Sequence, residues 1–189
     1  MGLDIFIKTD SDDKILTADY FDYGHGLEKK HRLSRTFCSL ITRWPVIEGE
    51  PELDQIGKIT FVDISPISQM GNYTSEEELE FLLEVAESEE ERQQILNKAT
   101  QRKESLAGNI DKVLSTVSAL IEKLSWVENL PRLLDDSGRG GLKNDIYFAD
   151  FNICEGAVGD NFGRDLRNFK SFLEYAKEKG ATTVHFTLG

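Results

Sequence analysis

Between residues 106 and 127 the side chains of Leu106, Ile110, Val113, Val117, Leu120, Leu124 and Val127 recur at intervals of four, three, four, three, four and three. A helix brings such positions onto one stripe, and this run amounts to a seam of about three heptads. An apolar stripe of that length needs a cover, from a second copy in a coiled coil or from the chain's own core. Packing on its own domain is the expectation, because most amphipathic helices face their own core. Self-association through the 106–127 seam is the alternative. Gly108 lies inside the pattern and costs about 1 kcal/mol relative to Ala, which marks a place for a kink or a break.

The helix that carries the seam has its start written upstream. Ser75-Glu76-Glu77-Glu78 and Ser88-Glu89-Glu90-Glu91 are capping boxes, in which the Ser oxygen takes an orphan amide and the Glu three residues on reaches back. Acidic first turns also suit the helix dipole. They predict one helix over 76–87 and a second from near 89 that can run as far as 127. Leu33, Phe37, Leu40, Ile41 and Trp44 predict a further helix ended by Pro45, and Pro51 opens a short one with Leu53, Ile56 and Ile59 inward. Residues 61–74 read as a connector. Leu166, Phe169, Phe172, Leu173 and Ala176 face inward from a helix over about 164–179, stopped by Gly180.

Strand signals are fewer. Leu3, Ile5 and Ile7 alternate with Asp4, Phe6 and Lys8, and residues 15–20 read as a returning strand across the polar tip Asp10-Ser11-Asp12-Asp13. Residues 146–151 read as another strand, and Val184, Phe186 and Leu188 close the chain in alternation. The first and last strands are candidates to pair with each other. The expected class is α+β: a small, mainly antiparallel sheet with packed helices and a helical hairpin or arm at about 75–130, in one domain spanning 1–189.

Thirty-four Asp and Glu against twenty-two Lys and Arg give a formal charge of −12. Such a chain is disfavoured as a general nucleic-acid binder, because phosphate affinity needs clustered cations. Basic partners, and mimicry of a polyanion, stay open. No apolar run approaches a membrane span, the opening residues lack a secretory pattern, and Phe6 stands where myristoylation needs Ser or Thr. Cys38 and Cys154 form no CxxC pair and fit free thiols. A cytoplasmic location is expected.

Residues 23–38, YGHGLEKKHRLSRTFC, hold two of the three histidines and one cysteine. A helix beginning as early as Leu27 would align His31, Arg35, Cys38 and Thr42 in one stripe, away from the Leu33–Phe37–Leu40–Trp44 face. His31, Cys38 and Arg35 are therefore the catalytic candidates, and His25, His31 and Cys38 the metal-ligand candidates, since His and Cys serve zinc or an activated thiol. One helix supplies only two ligands, so a third must come from His25, Cys154, His185 or an Asp. The competing reading is a buried small Cys38 and a solvated His31, and the spacing matches no ligand signature. An EF-hand at Asp10–Asp13 fails, because Lys14 and Ile15 stand where a ligand and Gly are needed.

Lys29, Lys30, Arg32, Arg35 and Arg43 form the one dense basic patch, able to bind phosphate or an acidic partner. The chain holds its own counterweight in the Glu-rich run 76–91. Tyr20, Phe21 and Tyr23 can stack on a base, though aromatics beside a strand more often join a core. The loop 156–163 lies where anions bind but is neither GxGxxG nor a Walker loop, and Asp160 or Asn161 fits better as a helix cap. Asp150, Glu155, Asp160 and Asp63 are carboxylates with no further pattern to single them out, and no cofactor is implied.

Met1-Gly2-Leu3-Asp4-Ile5-Phe6 resembles the opening of small uncharacterised bacterial and phage-associated proteins that begin Met-Gly-Leu-Asp with an aromatic-rich first strand. The resemblance covers the opening strand alone and implies a cytoplasmic accessory or mobile-element protein, with no site residue to carry over. The functional expectation is protein interaction or regulation through the acidic helical region. A small metal-binding protein or enzyme built on His25, His31 and Cys38 is the alternative, and an acidic nucleic-acid mimic a further one.

Overall fold

The computed structural model describes residues 5–16, 33–42, 49–135, 145–153 and 161–188. Among these residues two strands, β1 (Ile5–Thr9) and β2 (Val184–Leu188), pair antiparallel with Thr9 opposite Val184 and Ile5 opposite Leu188. The returning strand expected after the polar tip is not formed where it is described. Residues Asp12–Leu16 make a short helix, α1, because the Asp12 carboxylate accepts from the Thr9 amide at 2.7 Å and from its hydroxyl at 3.0 Å. Asp10 is used elsewhere. Its carboxylate takes the amides of Thr182 and Thr183 and the Thr182 hydroxyl, which ties the turn to the entry of β2.

The remaining helices are α2 (Arg35–Thr42), α3 (Glu52–Thr60), α4 (Ser65–Gln69), α5 (Glu76–Val85), α6 (Glu89–Leu106), α7 (Ile110–Leu124), α8 (Leu130–Leu133), α9 (Asp145–Phe148) and α10 (Phe162–Glu178). The protein is thus α+β, with the helices dominant. Residues 61–74, expected as a connector, hold α4 and a 3-10 turn at Met70–Asn72. Residues 146–151, expected as a strand, begin within α9, and Asp150 turns the chain out with φ of 51°.

The core forms around α7 and α10, with α3 and α4 against α7, and Phe169 of α10 meeting Phe186 of β2 at 6.1 Å between ring centres. Leu106, Ile110, Val113, Val117, Leu120 and Leu124 are all buried and Val127 partly so. The heptad stripe therefore faces the chain's own core. Those side chains are covered within the chain itself, which is the expected packing of the helix on its own domain.

The break inside the seam is complete. Gly108 has φ of 70°, and α6 ends before it. Asn109 follows and is fixed by its amide group, which donates to the Val184 carbonyl and accepts from the Val184 amide, both at 2.8 Å. That pairing satisfies the outer edge of β2 as a neighbouring strand would. Ile110 N donates to Thr182 O at 3.1 Å, so α7 starts from the sheet.

Candidate functional site

Cys38 and Arg35 are the only catalytic or metal candidates among the described residues; His25, His31 and Cys154 lie outside them. Among the described residues α2 begins at Arg35, with Leu33 and Ser34 outside the helix, and the His31 end of the expected stripe lies outside the described residues. Ser34 sets that start. Its hydroxyl accepts from Phe37 N at 3.1 Å as an N-cap, while its own amide and hydroxyl donate to the two Asp165 oxygens at 2.9 and 2.5 Å. Tyr147 adds a third donor, its phenol reaching Asp165 Oδ2 at 2.8 Å. Arg35 is exposed, whereas the Cys38 thiol is buried.

Asp165 thus joins α2, α9 and α10 in a place water does not reach, with 1% of its surface exposed. Phe162, one turn earlier, stands among Phe37, Tyr147, Phe148 and Phe151 at 5.4–6.5 Å between ring centres. Burial, then the Asp165 charge, pushes the Tyr147 phenol well above its ordinary range. A phenol that keeps its proton and spends it on a buried carboxylate is neither base nor nucleophile. The cluster is a joint of the fold.

His185, the remaining histidine, stacks on Tyr73 with ring centres 3.6 Å apart and planes 25° from parallel. Its Nδ1 is buried and meets no partner among the described residues. Burial lowers its pKa to about 4, with Asp12 and Asp10 opposing and Lys8 and Lys103 reinforcing, so the ring is neutral at neutral pH. Among the described residues no group of three His, Cys, Asp or Glu side chains is placed to hold a metal ion.

Tyr73 stands at the root of a different structure. Helices α5 and α6 pack chiefly on each other. No residue of α5 is buried, and of α6 only Leu106 at its base. Both caps form as the sequence predicts, Ser75 accepting from Glu78 N and Ser88 from Glu91 N at 3.1 Å. The Glu91 carboxylate reaches back one residue further than the capping box requires, to Glu87 N at 2.9 Å. The root is held by the Tyr73–His185 stack, by Arg102 donating to the Thr74 hydroxyl at 3.1 Å, and by Gly108 N donating to the Thr183 hydroxyl at 3.0 Å.

The arm carries Glu76, Glu77, Glu78, Glu80, Glu84, Glu87, Glu89, Glu90 and Glu91 with no Lys or Arg between the first and last of them. All nine are exposed, and none forms an ion pair with a described Lys or Arg. Glu76–Glu80 and Glu80–Glu84 are like charges one turn apart on α5, each pair costing about 0.2–0.5 kcal/mol. Phe81 and Val85, also one turn apart, are 62% and 55% exposed amid these carboxylates. An exposed apolar pair on a helix that carries five glutamates and no Lys or Arg is an arrangement suited to contact with an oppositely charged surface. The sequence had marked this run as acidic; exposure of Phe81 and Val85 was not visible in it, because Leu79, Leu82 and Leu83 beside them are half-buried and look the same in sequence.

No protein-family model, curated protein or solved structure matches the chain. No helix of the described residues is long and apolar enough to cross a membrane.

Proposed function

We propose that the protein is a cytoplasmic interaction or regulatory protein, and that the α5–α6 arm is the surface that engages a basic protein partner. One observation carries this reading: nine exposed glutamates, without described counter-ions, accompany the exposed pair Phe81 and Val85 on a hairpin that buries almost nothing of its own. The core does not need that surface. A partner with a basic rim around an apolar centre would relieve the like-charge repulsion and cover the phenyl ring.

The same carboxylates support a second reading, mimicry of a nucleic acid toward a protein that binds one. Charge density favours the first. Five glutamates on the ten residues of α5 fall over about 15 Å of helix, or about one per 3 Å, against one per about 1.7 Å on a duplex.

Affinity capture with the wild-type chain and with a Glu80→Lys, Glu84→Lys, Phe81→Ser variant tests the proposal. A specific partner is retained by the wild type, weakened by added salt, and lost from the variant, whose thermal unfolding stays near wild type. Equal retention by both proteins would overturn the assignment to the arm. Displacement of the partner by duplex DNA would transfer support to the mimicry reading.

A further inference from the structure

The chain leaves α3 through a residue in a conformation that side chains rarely adopt. Phe61 has φ of 56° and ψ of 32°, at the position after the helix that glycine ordinarily fills. The turn itself is well made, with Phe61 N donating to Lys58 O and Val62 N to Gly57 O. Yet the phenyl ring is 95% exposed. A strained backbone and an aromatic ring in water are both unfavourable, and glycine would avoid both, so neither serves the stability of α3.

The ring borders an open groove of about 510 Å³ whose apolar side is Gly57, Phe61, Val62 and Ile64. Gly57 forms its floor and lets α3 approach Ile64 closely, since a Cβ there would lie 3.2 Å from both Ile64 Cγ1 and Cγ2. Among the described residues the charged groups of the groove are Glu50, Asp54 and Asp63 against Lys58, three carboxylates to one ammonium. Lys58 is already paired with Glu50 at 2.6 Å. Asp63 accepts from the Ser65 amide and hydroxyl, and these bonds hold its carboxyl below the usual range. Burial and then the Glu50 charge push Asp54 the other way, with Lys58 opposing.

We propose that this groove docks a linear basic segment of a partner protein, its apolar side chain against Val62 and Ile64 and its Lys or Arg over the Phe61 ring toward Asp54 and Asp63. Cation–π attraction uses the exposed ring face, and the excess negative charge chooses the sign of the partner. This surface is separate from the α5–α6 arm and does not depend on it.

Fluorescence anisotropy with a labelled Gly-Lys-Arg-Leu-Lys-Arg-Gly peptide, at an ionic strength of about 0.15 M to screen long-range attraction, tests the proposal. The wild type binds it, and the same peptide with Gly in place of Leu binds about tenfold more weakly. Phe61→Gly weakens binding about tenfold while its Tm rises, which separates lost recognition from lost folding. Asp54→Asn also weakens it, and Glu80→Lys with Glu84→Lys on the arm leaves it within about twofold. Equal binding of both peptides, or equal binding by Phe61→Gly, would reduce the effect to general attraction by an acidic chain and overturn the proposal. So would absence of binding by the wild type.

Discussion

Replacing Asp165 with alanine strips three donors, the Ser34 amide, the Ser34 hydroxyl and the Tyr147 phenol, of an acceptor that water cannot replace. Hydrogen bonds to a charged group are worth about 1.5–3 kcal/mol each, so D165A is expected to cost about 3 kcal/mol or more in denaturant unfolding. Gly163 is constrained differently. A Cβ there would lie 1.9 Å from the Phe151 carbonyl oxygen, and G163A is expected to destabilise by about 3 kcal/mol as backbone is forced apart. His185 gives a pH dependence. Its folded pKa of about 4 lies below the ordinary 6.5, so between these values the unfolded chain binds more protons. Stability therefore falls as pH drops from 6.5 toward 4, by less than about 1.4 kcal/mol per pH unit. H185F keeps a ring on Tyr73 and removes this slope; an unchanged slope in urea titrations would contradict the assignment to His185. These residues also show where reading the sequence stops. Nothing between Leu27 and Ser34 forbids a helix locally. The start of α2 at Arg35 is set by Asp165, 131 residues from Ser34, a boundary that no local pattern encodes.

Helix boundaries with local causes were legible, and those with distant causes were not. Ser75, Ser88, Pro51, Asn161 and Gly180 act on groups within a turn of themselves, and each ends or begins its helix within about two residues of where sequence places it. The sequence of α9 is ambiguous, because a short aromatic run suits a buried strand and a buried helix equally. Packing of Tyr147, Phe148 and Phe151 around Phe162 settles it as helix followed by a left-handed turn at Asp150. The hairpin after β1 gave way for a similar reason, since Asp10 and Asp12 bond to the β2 entry and to Thr9. At this scale the arm and the core are expected to differ in dynamics. Amide exchange in α5 and α6 should run well ahead of α7 and α10, whose inner faces are buried. N109A removes both bonds to Val184 and should cost about 2 kcal/mol, raising exchange in β2 first.

Taken as a whole, the chain separates stability from charge. The apolar heptad stripe, the Phe162 cluster and the sheet face inward. The densest acidic run is carried outward on a hairpin that the core does not require. Fold class was legible because the apolar periods of α7 and α10 are long and local; the arm's projection was only half legible, because sequence marks which residues repel but not what remains uncovered. The central claim is that the arm, and Phe81 in particular, meets a basic partner. Site-specific photocrosslinking in cells, with the reactive side chain placed at Phe81 and in parallel at the exposed Lys123 of α7, tests it most directly. A discrete adduct at Phe81, absent at Lys123 and lost when Glu80 and Glu84 are changed to Lys, is the predicted result. Absence of any adduct at Phe81, or the same adduct at both positions and in the charge-reversed chain, would contradict it.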